Sequence, residues 1–220
     1  MKFRFSYLLL PLLGASSLSA SVAFDFASFG SALISFQGTG DTLHFTPDAS
    51  GFDFRIAHAT DSNLNGLFGN IDGLFSIGSI TANGPLQEAP VTGTGVLSIS
   101  DGTPNLFTAT LAWSSSLTVG TAGILNPNGE SNLSNFSYSG TNVALQALAR
   151  NTSGIDTLSF QFLPGLSLAQ LTTDATTHAT TFSGSIAAIP EPATYAALMG
   201  AVALAGVAWR RRRLPVAQAA

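Results

Sequence analysis

The sequence predicts an all-β protein, an antiparallel β-sandwich or closed β-roll, with a transmembrane helix near its C-terminal end. The first observation is a succession of short segments in which apolar and polar residues alternate, separated by Gly, Asn, Asp and Pro at intervals of about 8–12 residues. The second is a pair of tight-turn dipeptides, Asp101-Gly102 and Asn128-Gly129. The third is one long apolar run near the C-terminus, which predicts the helix.

The first 23 residues have the parts of a secretory signal peptide. Lys2 and Arg4 supply the positive charge, and residues 8–13 supply an apolar core that is too short to span a membrane. Ser21 and Ala23 are small residues at the two positions that signal peptidase reads, so cleavage is expected after Ala23. Signal peptidase is therefore an expected partner, and residues 24–189 are expected to form one exported domain.

The exported domain contains a series of predicted strands and one predicted helical turn, at residues 166–171. Phenylalanines in the strand-like segments are expected to pack in the core, and they are Phe75, Phe107, Phe136, Phe160, Phe162 and Phe182. The predicted strands are residues 33–36, 42–46, 52–56, 74–80, 91–100, 106–113, 135–139, 143–148, 158–162 and 182–186.

Charge is distributed unevenly between the domain and the two ends of the chain. Residues 24–189 contain two arginines, Arg55 and Arg150, no lysine and eleven acidic residues, which gives a formal charge of −9. Such a domain has too few cations to neutralise phosphates, so nucleic acid is excluded as a partner. The chain has no cysteine, which excludes thiol catalysis, zinc–thiolate sites and iron–sulfur clusters.

The C-terminal segment has three consecutive parts. Pro190, Glu191 and Pro192 come first, and residues 193–209 then form an uncharged apolar run that ends at Trp209. As an α-helix this run would be about 25 Å long, slightly short of a hydrocarbon core of about 30 Å. The run is followed by four consecutive arginines, Arg210, Arg211, Arg212 and Arg213. Such a positive cluster is expected to stay on the cytoplasmic side of the membrane. Residues 214–220 are a short tail.

This order of parts resembles the PEP-CTERM sorting signal of Gram-negative bacterial surface proteins, here over residues 190–213. The resemblance implies that an exosortase recognises Pro190, Glu191 and Pro192, while the apolar helix and the arginines hold the precursor in the inner membrane. It also implies export, processing near the tripeptide, and a final location at the cell surface or in a matrix, in association with exopolysaccharide and biofilm. A plain single-pass anchor is the alternative interpretation of the same segment.

Motifs of enzymatic chemistry are weak in this sequence. His44, His58 and His178 are far apart and have neither HxH nor HExxH spacing. No G-x-S-x-G nucleophile elbow is present. Two of the eleven acidic residues could form a glycosidase pair, but nothing in the sequence singles out which two. No catalytic residue is therefore assigned, and the protein is expected not to be an enzyme.

One segment has most of a calcium-loop pattern. Asp61, Asn63 and Asn65 precede Gly66 in the order D-x-N-x-N-G, and Asp72 occupies the position where such loops normally carry Glu. Only two of these four ligands are charged, and no helix is predicted on either side. A polar turn between two strands is the favoured interpretation, weak calcium binding is the alternative, and no other cofactor is expected.

The sequence favours an exported structural protein of the envelope or extracellular matrix. The first alternative is a carbohydrate-binding module, which would require Trp113 and Tyr138 to be exposed on one face as a platform for sugar rings. The second is a hydrolase, which would require a cleft with two facing carboxylates. Exposure of Trp113 and Tyr138 on one face would favour the carbohydrate-binding module, and a cleft with two facing carboxylates would favour the hydrolase.

Overall fold

The computed structural model describes residues 22–190, residues 199–206 and residue 209. Residues 22–190 form an all-β domain with two short α-helices, α1 (Val143–Ala149) and α2 (Leu168–Thr173), and a 3₁₀ turn at Ser62–Leu64. The strands are β1 (Ala23–Ser28), β2 (Leu33–Gln37), β3 (Thr42–Thr46), β4 (Phe54–Ala59), β5 (Phe68–Asp72), β6 (Leu74–Ile77), β7 (Thr81–Asn83), β8 (Leu86–Thr92), β9 (Gly95–Ser100), β10 (Leu106–Leu111), β11 (Ser115–Val119), β12 (Ala122–Leu125), β13 (Leu133–Ser137), β14 (Ser153–Gln161), β15 (Thr177–Thr180) and β16 (Phe182–Ile189).

Eight of these strands form a closed antiparallel roll. Their order is β13-β10-β9-β5-β4-β1-β16-β14, and β14 pairs back with β13 to close the ring. Closure leaves each strand of the ring with a partner on both sides, which removes the free edges that an open sheet would have. The prediction of an antiparallel all-β domain is confirmed, and of the two forms expected, a sandwich or a closed roll, the structure has the closed roll.

A second set of strands continues from the same β14. It runs through β12, β11, β8, β6, β3 and β2 to β15, and β7 adds to β8. Strand β14 is therefore the junction of the fold. One of its edges pairs along almost its whole length with β16, whereas its other edge pairs first with β13 and then with β12.

Two asparagine side chains fill the gap between β13 and β12 along β14. Pairing with β13 stops at Gly154 and pairing with β12 starts at Leu158, so the backbone of Asp156 has no neighbouring strand on that edge. The Asn132 side chain accepts a hydrogen bond from the Asp156 N–H (2.7 Å) and donates one to its carbonyl (3.0 Å). The Asn126 side chain donates to the same carbonyl at 2.8 Å. These amides replace the missing strand at this gap, which we call the fork.

The predicted phenylalanine core is confirmed with one qualification. Phe136 is only half-buried, and it packs edge-on against Phe107 with 5.5 Å between ring centroids. The other five predicted core phenylalanines are buried, and they are Phe75, Phe107, Phe160, Phe162 and Phe182. Further buried rings come from Phe24 and Phe26 in β1 and Phe54 in β4.

The predicted strand at residues 143–148 is wrong, because this segment is helix α1. The Asn142 side chain caps it by accepting hydrogen bonds from the N–H groups of Ala144 and Leu145. Ala, Leu and Gln favour helix, and the buried residues Ala144, Leu145 and Leu148 lie on one helical face. The predicted turn at residues 166–171 is confirmed in shifted form as α2, which begins after a capping box formed by Ser167 and Gln170.

Other strand predictions need smaller corrections. Residues 91–100 were expected to form one strand, but β8 ends at Thr92 and β9 begins at Gly95. The chain turns at Gly93, which has φ +118°, a conformation that favours glycine. The sequence did not predict β1, β5, β7, β11, β12 or β15. In β11 the inward side chains are Ser116 and Thr118, so the strand lacks the apolar alternation used for prediction.

Candidate functional site

The two ends of the folded domain lie side by side. Strand β1 starts where β16 stops, and the antiparallel register pairs Ala23 with Ala187. The Val22 carbonyl accepts a hydrogen bond from the Ala188 N–H at 2.9 Å. Both chain ends therefore leave the domain at the same end of the closed roll.

The tripeptide begins directly after the last strand. Strand β16 ends at Ile189, and Pro190 is the next residue and is half-buried. Proline ends the ladder because it has no N–H to donate. Glu191 and Pro192 lie outside the described residues, as do Arg210, Arg211, Arg212, Arg213 and the tail 214–220.

The apolar run is described only in part. Residues 199–206 and Trp209 are helical, and their side chains are exposed. Within the described part of the chain, no helix has the length and apolar character required to cross a bilayer. The remainder of the predicted span 193–209 lies outside the described residues.

The comparison with known families decides what this end of the chain is. A family model for the PEP-CTERM protein-sorting motif matches residues 188–213. The chain carries a PEP-CTERM sorting motif. This motif implies an exported, surface-directed protein that an exosortase processes. No curated protein and no solved structure matches the chain.

The PEP-CTERM match overlaps the folded domain by two residues of β16. These residues are Ala188, which is buried, and Ile189, which pairs with Ser153 at the start of β14. Folded strand and sorting motif are thus continuous, with no linker between them. The sequence predicted the motif boundary at Pro190 but gave no sign that a central strand reaches it.

At the other end, the residues around the expected signal-peptidase site belong to the fold. Val22 is buried in the core, and Ala23 is the first residue of β1. The Thr60 hydroxyl donates to the Ala23 carbonyl (3.2 Å) and accepts from the Ala23 N–H (3.1 Å). The alternation A-F-D-F-A-S at residues 23–28 is a signal for this strand. The expected cleavage after Ala23 falls inside the alternating segment and would remove the first residue of the strand.

Helix α1 and the 3₁₀ turn lie at the same end of the roll as the chain ends. The turn contacts both β4 and α1, and the chain leaves α1 at Arg150 three residues before Ser153, the partner of Ile189. We define the exit face as Val22–Ala23, Thr60–Leu64, α1 with Arg150, and Ile189–Pro190. The sorting motif emerges from this face.

Asp72 lies apart from the other three residues of the calcium-loop pattern. The Asp61 side chain caps the 3₁₀ turn, because its Oδ1 accepts from the Asn63 N–H (3.0 Å) and side-chain amide (2.9 Å). Asn65 ends the turn. Asp72 lies at the opposite end of β5, on the order of 13 Å along the strand from Phe68. Among the described residues no cluster of three His, Asp or Glu side chains could hold a metal ion.

Two aspartates are buried inside the domain. Asp53 is 2 % exposed, and burial raises its pKa to about 6 although its Oδ2 accepts a hydrogen bond from the Ile71 N–H (2.7 Å). Asp156 is fully buried at the fork, its carboxylate oxygens make no hydrogen bond, and burial raises its pKa well above the ordinary value. Burial therefore shifts both carboxyl groups toward the neutral form, compared with the same groups in water.

The aromatic pair expected for a sugar platform is not on one exposed face. Trp113 is 3 % exposed and packs edge-on near Phe75, with 6.4 Å between ring centroids. Tyr138 is half-buried, and its hydroxyl donates to Asp101 (2.6 Å) and accepts from the Asn142 N–H (3.0 Å). The buried Trp113 ring is therefore not free to stack on a sugar, and the two rings do not form one exposed platform.

The histidines are likewise separate. His44 is half-buried, and its Nδ1 makes no hydrogen bond. His58 is exposed on β4 and is in register with Asp25 on β1. His178 lies 2.9 Å from a carboxylate oxygen of Asp174.

The surface grooves are shallow and rich in hydroxyl groups. One groove of about 650 Å³ crosses β1, β16, β14 and β12, and a neighbouring groove of about 390 Å³ contains the single carboxylate Asp25. Their floor carries two cross-strand hydroxyl pairs, Ser159 with Ser183 and Thr157 with Ser185, each at 3.1 Å. Neither groove contains the two facing carboxylates that the hydrolase alternative requires.

Proposed function

We propose that this protein is a structural component of the cell envelope or extracellular matrix that an exosortase sorts after export. The observation that carries the proposal is the PEP-CTERM motif placed directly after the last strand of a closed β-domain. Processing near the motif would release a complete domain, since every strand of the roll lies before Pro190.

The sorting step assigns a role to each part of the C-terminal segment. Exosortase recognises Pro190, Glu191 and Pro192. The apolar run 193–209 holds the precursor in the inner membrane, and the four arginines that follow it stay on the cytoplasmic side. Signal peptidase removes the N-terminal segment, so the domain faces away from the cytoplasm before sorting.

The mature domain acts by its presence in the matrix rather than by turnover of a substrate. Its formal charge of −9 and its outward Ser and Thr side chains give a hydrated surface that resists collapse onto anionic polymers. We propose that it lies among exopolysaccharide chains in a biofilm, without a catalytic residue or a required cofactor. The buried Trp113 does not favour the carbohydrate-platform alternative.

The experiment that tests this function is intact-mass analysis of protein recovered from native envelopes. Mature protein should lack the segment after the tripeptide, including Arg210–Arg213. Replacing Pro190, Glu191 and Pro192 by alanine should leave an unprocessed precursor in the membrane. The matched control is the double replacement Pro104→Ala, Asn105→Ala in an exposed turn, which should be processed normally. Unchanged maturation of the tripeptide variant would show that the recognition role is wrong.

A further inference from the structure

The distance between the folded domain and the apolar run is short. Only Pro190, Glu191 and Pro192 separate Ile189 from residue 193. Four fully extended residue steps reach at most about 14 Å. A domain of this length has a radius of gyration of about 15 Å, hence a diameter of about 40 Å. The segment between Ile189 and residue 193, which we call the tether, is thus much shorter than the domain is wide. The end of the domain opposite Ile189 therefore cannot touch the membrane beside residue 193.

The N-terminal end of the chain leaves from the same place. Val22 is hydrogen-bonded to Ala188, so a precursor that still carries its signal peptide is connected to both apolar segments through the exit face. Both connections hold the same face of the domain toward the membrane.

The outer face of α1 has a chemistry that fits a headgroup surface. Ala144, Leu145 and Leu148 are buried, which leaves Val143, Gln146, Ala147 and Arg150 on the outward side. Val143 is 62 % exposed and lies two helical turns from the exposed Arg150. This outward side carries one of the two cations of residues 24–189 and none of their eleven acidic residues.

Two acidic groups near α1 make hydrogen bonds within turns. Asp61 caps the 3₁₀ turn, and Asp101 accepts hydrogen bonds from Thr103 and from the Tyr138 hydroxyl. The other cation, Arg55, lies on β4 with its guanidinium over the Phe68 ring at 5.8 Å. The exit face therefore carries an exposed apolar side chain and, two helical turns away, an exposed arginine, within a domain that is otherwise strongly acidic.

We propose that the exit face lies against the lipid headgroup surface in the uncleaved precursor, with the outer side of α1 between the domain and the bilayer. This inference rests on the proposed function, because it requires the membrane tether. In this orientation, the side of the domain away from the membrane contains the strands β2, β3, β6 and β15.

Single-cysteine labelling tests the proposal, because the chain has no native cysteine. Val143→Cys is placed on the exit face. Leu74→Cys, at a residue of equal exposure (62 %) at the start of β6, is placed at the opposite end of the domain. Both are made in the full chain with the tripeptide replaced by alanine, purified, and reconstituted in phosphatidylcholine–phosphatidylglycerol vesicles. The probe is a polyethylene-glycol maleimide of about 5 kDa, and labelling after SDS denaturation normalises the two thiols.

The expected result is that Val143→Cys reacts at least about fivefold more slowly than Leu74→Cys, because a gap limited to about 14 Å hinders the polymer. Equal native rates on vesicles would overturn the proposal. Protection of Val143→Cys in cells but not on vesicles would mean that a protein covers the face, and would also overturn it. Failure of the chain to float with the vesicles would instead contradict the membrane tether itself, and with it both proposals.

Discussion

At the scale of single residues, Asp53 has an unusual environment. It is nearly fully buried, accepts one backbone hydrogen bond from Ile71, and has one carboxylate oxygen without a partner. Burial, and to a smaller extent the charge of Asp72, raise its pKa from 3.8 to about 6. Because the folded-state pKa is the higher one, folding favours the protonated carboxyl. Its contribution to stability is complete below pH 4 and is lost as the pH rises through about 6.

We therefore predict that the protein is more stable at pH 5 than at pH 7.5. Asp53→Asn keeps an oxygen acceptor for Ile71 but cannot ionise, so it should remove on the order of 1 kcal/mol of this difference. Urea unfolding at the two pH values measures the effect. Asp41→Asn, at an exposed turn residue, is the control. Equal pH dependence in wild type and Asp53→Asn would contradict the prediction. Asp156 contributes in the same direction, so some pH dependence should persist.

Asp61 is the second residue whose role can be tested alone. It already serves as the cap of the 3₁₀ turn, and Asp72 lies at the far end of β5. We predict that millimolar calcium leaves the Tm unchanged. Asp61→Ala should lower stability by about 1 kcal/mol with or without calcium, through loss of the cap. Thermal unfolding with calcium and with a chelator measures both effects, and Asp72→Asn is the matched control. A calcium-dependent rise in Tm that Asp61→Ala abolishes would establish a calcium site instead.

At the scale of elements, the fork along β14 holds the two parts of the fold together. Asn132 supplies both a donor and an acceptor to the backbone of Asp156, and Asn126 uses its amide to join that backbone to the Glu130 carbonyl. A buried backbone group that loses its partner has given up its hydrogen bond to water and gains none in the protein, which lowers the stability of the fold. The fork is therefore where a small polar side chain has a large effect on stability.

We predict that Asn132→Ala lowers the free energy of unfolding by about 2–4 kcal/mol. It leaves the buried Asp156 N–H unpaired and removes one of the two hydrogen bonds to the Asp156 carbonyl, which keeps its bond from Asn126. The control is Asn105→Ala, which removes an amide that hydrogen-bonds within an exposed turn and should cost less than about 1 kcal/mol. Chemical denaturation measures both variants. Similar losses for the two would mean that the Asn132 amide does not replace a strand.

The element scale also explains which parts of the fold the sequence predicted. Period-two alternation and turn dipeptides identify strands such as β3 and β10, because one face of each is buried. They fail at residues 143–148, where a cap at Asn142 and a helical burial pattern decide the structure. They fail again at β11, whose inward side chains are hydroxyls. Which strands pair, and that β14 closes the ring, depends on contacts between segments distant in sequence, which no local pattern carries.

At the scale of the whole molecule, the sorting motif was predictable because it is a linear signal of charge, proline and apolar length, matched here at residues 188–213. The relation between that signal and the domain was not predictable, because it depends on the pairing of β1 with β16. This pairing also constrains where the N-terminal segment can be removed, since the first strand of the roll starts at Ala23 with Val22 buried before it.

Signal-peptide cleavage should therefore occur before Val22 rather than after Ala23. A cut after Ala23 would delete a buried side chain, the Val22–Ala188 backbone hydrogen bond and all three hydrogen bonds between Thr60 and Ala23. Loss of a buried valine side chain alone would cost about 1.5–3 kcal/mol. Ser19 and Ser21 offer small residues at the two positions that signal peptidase reads, for cleavage after Ser21.

We predict that the mature N-terminus begins no later than Val22, and Edman sequencing or intact mass of exported protein measures it. Val22→Asp should reduce the amount of folded protein by placing a charge in the core without a partner. Val143→Asp, an identical change at an exposed residue, should be tolerated. A mature chain that starts at Phe24 and has the same Tm as a chain that retains Val22 would show that the end of β1 contributes nothing, and the cleavage after Ala23 that the sequence suggested would then stand.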